Sequence, residues 1–416
     1  MQTQIKLRLG TMMFLEYFIW GAWYVTLGTW LAQSLHFSGQ QVGLAAGATA
    51  IGAILSPFFV GLIADRLFAT QRVLGFLHCL GAVILFLASR QLAFSSFYPL
   101  VLIYCLCFMP TLALTNSLAF RQMKNPETEF GTIRVLGTLG WIVAGLFIGS
   151  MKLEATAIPM QLAAACSLLM GLYSFTLPHT PPVTQTTSLS LQSIFPKEAV
   201  SLLADRPMAI FAIASFLICI PLQFYYAFTN LFLNQSGVVN AAGKMTGGQM
   251  SELFCMLLIP WFFRRLGVKY MLVAGMLAWT LRYVFFAYGN PTSHVWMLWA
   301  GILLHGICYD FFFVTGQIYI DRKASAALRS AAQGLITFLT YGIGMFTGSW
   351  LSGAVVQHYA IANDAGAVLY RWRPIWLFAA AVSGIVLLLF ILTFSDEARV
   401  ETSVSEIEGS LPETLA

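Results

Sequence analysis

Charge is scarce in this sequence. Only 9% of its 416 residues are Asp, Glu, Lys or Arg, against about 25% in an average globular domain. A soluble chain of this length needs charged faces to stay dispersed, so the shortage excludes an ordinary water-soluble domain and points to lipid as the solvent. Enzyme motifs are missing too: there is no Walker A loop, no H-E-x-x-H and no G-x-S-x-G. Without a nucleotide site, any uphill work has to come from an ion gradient. The seven cysteines (Cys79, Cys105, Cys107, Cys166, Cys219, Cys255 and Cys308) all fall inside apolar runs. None forms a C-x-x-C pair or sits near a His at zinc spacing, which excludes a disulfide framework and a metal centre and leaves no cofactor to expect. The net charge of +5 is spread over loops and marks no nucleic-acid partner. The first apolar run is too long for a signal-peptide core and lacks a small-residue cleavage pattern, so it reads as a retained span.

What the chain has in abundance is apolar runs of about 20 residues, the length that crosses a bilayer as a helix. Twelve are expected, near 8–33, 40–64, 72–91, 96–120, 131–151, 156–178, 207–234, 245–264, 269–288, 294–320, 329–356 and 373–394. The expected organisation is an N-terminal six-helix bundle over 1–178, a Pro/Thr/Ser-rich linker over 179–206, a C-terminal six-helix bundle over 207–394 and an acidic tail over 395–416. Fifteen Lys and Arg residues fall at one set of helix ends and five at the other. The positive-inside rule then places both termini and the linker in the cytoplasm. Two six-helix halves around a midplane site are a transporter layout, which makes the lipid bilayer a partner and a cell's inner membrane the expected location. A monomer is the expected state.

Within so apolar a chain, the few charged groups at lipid depth are the candidates for function, because each costs several kcal/mol unless it faces a cavity or a partner. They are Glu16, Arg134, Glu252, Arg282 and Asp310. Helical spacing adds polar and aromatic companions. Arg134, Thr138 and Trp141 share a face, as do Gln223, Tyr226 and Asn230, and Gln249 with Glu252. Gly306, Asp310, Phe313 and Gln317 form one stripe, with His305 and Tyr309 on the next, and Glu16 aligns with Trp20 and Trp23. Rings beside hydrogen-bonding groups suit a ligand with a flat ring and a hydroxylated part. Arg282 reads as structural, Trp296 and Trp299 as interfacial belt residues, and Gln223 equally as helix-to-helix glue or a ligand contact. His305 is either packed or a proton carrier. Asp310 is the first choice for a proton-coupled switch, with Arg134 as its partner and Glu16 as a second coupling acid.

One loop is more specific. G-L-I-A-D-R-L-F-A-T-Q-R, Gly61 to Arg72, resembles the loop signature of the major facilitator superfamily, with Gly61, Asp65, Arg66 and Arg72 at its positions. The resemblance implies that these residues latch neighbouring helices in one conformation. Further stretches resemble the bacterial nucleoside–proton symporters of that superfamily: I-W-G-A-W from Ile19, F-M-P-T-L-A-L-T-N-S from Phe108, T-I-R-V-L-G-T-L-G-W from Thr132, Q-M-S-E-L-F from Gln249, L-R-Y-V-F-F-A-Y-G-N-P-T from Leu281, Y-D-F-F-F-V-T-G from Tyr309 and R-S-A-A-Q-G from Arg329. Together they span nearly the whole chain in order. The E-x-F-I-W-G-A-W pattern is similar to a less characterised nucleoside-transporter branch.

The resemblance implies an all-α integral membrane protein of the major facilitator fold that imports nucleosides with protons by alternating access. It implies a nucleoside pocket formed by Arg134, Thr138, Trp141, Gln223, Tyr226, Gln249, Glu252, His305, Tyr309 and Asp310, with Glu252 holding ribose hydroxyls. Three positions depart from better-known members: Tyr226 stands for an Asn, His305 for an aromatic hydroxyl and Glu16 for an amide. The residues alone leave open the same fold carrying a sugar or exporting a drug-like solute, and a polytopic membrane enzyme or receptor.

Overall fold

The computed structural model describes residues 3–59, 68–123, 125–182, 200–325, 328–362 and 368–395. Its helices make twelve passes among these residues. Pass 1 is Thr3–Tyr24 followed by Leu27–Gln33. Passes 2 to 6 are Gly39–Phe59, Thr70–Ala88, Phe94–Gln122, Pro126–Ser150 and Ile158–Ser174. Pass 7 is Arg206–Gln235. Passes 8 and 9 come from the 48-residue segment Ala241–Tyr288. Run straight, such a helix would extend about 72 Å, more than twice a bilayer core. It reverses at Gly267, whose φ of 66° and ψ of −179° suit glycine. The fold-back is visible in packing: Ile259 and Met271, on either side of Gly267, cluster with the same Phe311.

Pass 10 is Val295–Leu303, His305–Tyr309, a π-helical stretch Asp310–Val314, and Thr315–Lys323. Pass 11 is Arg329–Thr337, a second π-helical stretch Phe338–Gly344, and Met345–His358. A short antiparallel pair, β1 (Ala360–Ala362) and β2 (Val368–Tyr370), with Ala360 opposite Tyr370, leads into pass 12, Trp372–Thr393. The pair and both π-stretches were not foreseen from the sequence, and the first pass is broken at Val25–Thr26 where one continuous helix was expected.

Odd passes run from the end carrying the N-terminus (the terminal end) to the opposite, far end. The halves meet where pass 2 packs on pass 11, pass 5 on pass 8, and the last part of pass 1 on pass 7. Small residues permit the approach. A methyl group at Gly43 would lie 2.7 Å from the Gly353 Cα, so neither backbone could come so close with larger residues. The outward faces carry exposed apolar side chains such as Leu257 and Leu392, which lipid would cover. Trp296 and Trp299 are exposed at the start of pass 10, as an interfacial belt requires.

Candidate functional site

A cavity of about 480 Å³ lies between the halves, within the roughly 300–1,000 Å³ span of small-molecule sites. Pass 5 contributes Arg134, Thr138 and Trp141 together, as their i, i+4, i+7 spacing on an unbroken helix requires. Facing them from the second half are Tyr226, Gln249, Glu252, His305 and Tyr309. Toward the terminal end the lining continues through Ser56, Asn116 and Thr337.

The charged groups are held by rings and by one another. The Arg134 guanidinium sits 4.0 Å over the Tyr17 ring, and Glu252 lies within its electrostatic reach. His305 Nε2 is 3.8 Å from Glu252 Oε2, and the Glu252 side chain keeps 17% of its surface open. Aromatic surface is continuous around this polar group: Trp20 meets Trp141 edge-on at 5.5 Å, and Tyr226 meets His305 edge-on at 6.3 Å. Tyr309 and Tyr341 share a 2.7 Å hydroxyl–hydroxyl hydrogen bond that ties pass 10 to pass 11. The cavity thus offers one accessible carboxylate, one guanidinium, two amides and flat ring faces.

Two expected pocket residues are not in its lining. Gln223 is fully buried, and its amide donates to the sulfur of Met345, itself a lining residue, at 3.3 Å. Asp310 is also fully buried, and neither carboxylate oxygen has a hydrogen-bond partner. It is absent from the cavity lining, and no ion pair with Arg134 is present among the described residues. Helical spacing explains it: Asp310 shares its stripe with Gly306, one step round from the His305–Tyr309 stripe that lines the cavity. Gly306, on the same stripe, faces pass 8 instead, with its N–H donating to Ser251 Oγ at 3.0 Å.

Glu16 is elsewhere again, sealed inside the first half. Its Oε1 accepts from Thr111 Oγ1 at 2.6 Å and its Oε2 meets His78 Nε2 at 2.9 Å. Ser167 Oγ donates to the His78 carbonyl at 3.1 Å, so its oxygen accepts from His78 Nδ1–H at 3.0 Å. Together these side chains bridge passes 1, 3, 4 and 6. His78 was not singled out from the sequence, because its partners lie on three other helices.

Arg282 is fully buried, with Nε donating to the Gly301 carbonyl at 3.0 Å and the guanidinium 4.1 Å over the Tyr225 ring. It does not line the cavity, in keeping with a structural role. Of the expected latch, Gly61, Asp65 and Arg66 lie outside the described residues; Arg72 is exposed near the start of pass 3. Tyr17, Tyr24, Asn116 and Tyr341 also line the cavity and went unnoticed in the sequence.

Comparison with known proteins agrees with this geometry. A match to the nucleoside H+ symporter family runs over residues 1–399. The chain belongs to the nucleoside H+ symporter family. Among its relatives in that sense, YegT of Escherichia coli (strain K12) is 41% identical over 407 residues, covering 95% of each chain. The xanthosine permease of the same organism is 33% identical, covering 94% of this chain and 96% of the permease. A crystal structure of a mutant of the nucleoside transporter NupG superimposes with a TM-score of 0.88 at 30% identity, over 94% of this chain and all of that one. The symporter is therefore a multi-pass membrane protein of the major facilitator fold, and its named relatives are transporters, not enzymes.

Proposed function

We propose that the protein imports nucleosides together with protons across the bacterial inner membrane, as a monomer with both termini in the cytoplasm. The observation that carries this reading is the cavity itself, enclosed by both halves of a symporter-family chain and furnished with Glu252, Arg134 and Gln249 beside aromatic faces. Trp20, Trp141 and Tyr226 supply surfaces on which a base stacks. Glu252 is placed to accept from ribose hydroxyls in charge-assisted hydrogen bonds, with Gln249 on the same face and Thr138 opposite. Hydrogen bonds join the halves at the far end, while the lining extends toward the terminal end, which supports a conformation open to the cytoplasm.

Proton coupling is assigned to Asp310. A buried carboxyl without a hydrogen-bond partner makes its protonation depend on how the helices around it are arranged, and π-turns within helices are frequent at working sites. Glu16 was the other acid considered; its oxygens are already engaged by Thr111 and His78, which leaves Asp310 the freer to change state. Calorimetric titration of the purified protein with a panel of nucleosides, free bases and sugars tests the substrate class. Nucleosides binding more tightly than both bases and sugars is the expected result; preference for a sugar would overturn it.

A further inference from the structure

At the far end, one acid from the first half reaches across to the second. Glu154 lies in the seven-residue turn between passes 5 and 6 and is 5% exposed. Its Oε1 accepts the Ala242 N–H, at the start of pass 8, at 2.6 Å, and its Oε2 accepts from Asn234 Nδ2, at the end of pass 7, at 2.5 Å. Asn234 Nδ2 also donates to the Asn230 carbonyl at 2.9 Å. Asn230 in turn accepts from Thr29 Oγ1 of pass 1 at 2.5 Å. Three of these bonds therefore cross between the halves.

The backbone is shaped to make this contact. Pass 5 ends with Lys152 in the left-handed region, φ 56°, a conformation that costs an L-residue about 1–2 kcal/mol. Leu153 N–H bonds to the Ile148 carbonyl and Lys152 N–H to that of Gly149, both at 3.1 Å. This paired pattern turns the chain sharply at a helix end, and here it aims Glu154 at the other half. On the facing side, pass 7 ends in the same pattern with Gly237 at φ 84°, and Asn240 at φ 58° caps pass 8. Gly149 closes the seam: a methyl group there would lie 2.6 Å from the Gly243 nitrogen and would run into the Asn240 carboxamide. Two tight turns that oppose each other across a transporter's dividing plane, joined by an acid, are more than the loop needs for its own folding.

We infer that Glu154 is the gating residue of the far mouth: it clasps Asn234 and the start of pass 8 when that mouth is closed, and lets go each time it opens. The inference rests on the transport reading above for its purpose, not for its geometry. Burial pushes the Glu154 carboxyl up from its usual range, while the donors from Ala242, Asn234 and Asn230 pull it partly back. Taking a carboxylate out of water is costly even when it is hydrogen-bonded, which suits a contact that must break in every cycle. Its charged neighbours on these segments are Lys152, exposed, and Lys244, half-buried; neither pairs with it among the described residues.

The test places spin labels at Met151→Cys and Val239→Cys, both exposed positions on the two turns, in a background whose native cysteines are Ser or Ala. The distance between them is read in lipid nanodiscs. Glu154→Ala should raise the ratio of long to short distances roughly tenfold, the loss expected for a charge-assisted hydrogen bond. Asn234→Ala, acting from the other half, should shift the ratio the same way but by less, because the Ala242 bond to Glu154 remains, and the double variant should go no further than Glu154→Ala alone. Unshifted distances in both variants, or effects that simply add, would overturn the clasp. Should Glu154→Ala fold poorly, Asn234→Ala alone decides the matter by the same readout. The distances test the clasp whether or not that background protein moves nucleosides, so failure of one reading is distinct from failure of the other.

Discussion

Glu252 and Asp310 are both acids at membrane depth, and their surroundings separate their roles. Glu252 lines the cavity with part of its surface open and has His305 and Arg134 near it. Asp310 has no opening and no hydrogen-bond partner. For Glu252→Gln, a charge-assisted bond to ribose becomes a neutral one, a loss of about 1–2 kcal/mol or roughly 5–30-fold in Kd. Calorimetry should show that loss for nucleosides and little change for free bases; equal losses would remove Glu252 from the ribose role. For Asp310→Asn, nucleoside binding should persist within a few-fold while accumulation driven by a pH gradient disappears. Wild-type accumulation by the mutant would show that another group carries the proton. Residue by residue, the sequence revealed what lies on regular helix. Arg134, Thr138 and Trp141 could be grouped from spacing because pass 5 is straight. Asp310 could not be placed, because spacing sets it on the Gly306 stripe beside that of His305 and Tyr309, and only the packed neighbours show which stripe meets the cavity. The Glu16–His78 pair was illegible for another reason, since four separate helices build it.

Among the elements, the twelve passes were legible because lipid demands long apolar runs, and that demand overrides local propensity. Their interruptions were not. The reversal at Gly267 shows how much depends on one backbone conformation. Its φ of 66° with ψ of −179° is a region nearly closed to other residues, so Gly267→Ala should destabilise the protein by about 1–3 kcal/mol. Gly334→Ala is the control: it is exposed in a helix with nothing within 4 Å of the added methyl, and alanine there should be neutral or mildly stabilising. Thermal unfolding in detergent compares the two, and equal midpoints would contradict the fold-back. The turn at Lys152 follows the same logic in reverse. Lys152→Gly, which relieves left-handed strain, should leave uptake and the far-end distance unchanged. Lys152→Val, with a β-branched side chain that tolerates φ 56° poorly, should mimic Glu154→Ala in the same distance measurement; matching distances for the Val and Gly variants would show that the turn does not aim Glu154.

For the whole molecule, the two halves enclose the 480 Å³ cavity and are joined by hydrogen bonds at the far end. Loop charges pointed to the transporter layout, but no sequence pattern announced the bonds that Thr29, Glu154 and Gly39 make across the divide. Gly39 N–H, for example, donates to Gln357 Oε1 at 2.8 Å over a separation of 318 residues. Pairings of that range exist only once the halves have docked. The central claim, that this cavity carries a nucleoside and couples it to a proton, is tested most directly by uptake of labelled nucleosides into proteoliposomes with an imposed pH gradient. The expected result is accumulation above the external concentration when the outside is acidic, abolished when a protonophore collapses the gradient. Nucleoside entry that only equilibrates, and at the same rate with and without the gradient, would contradict it.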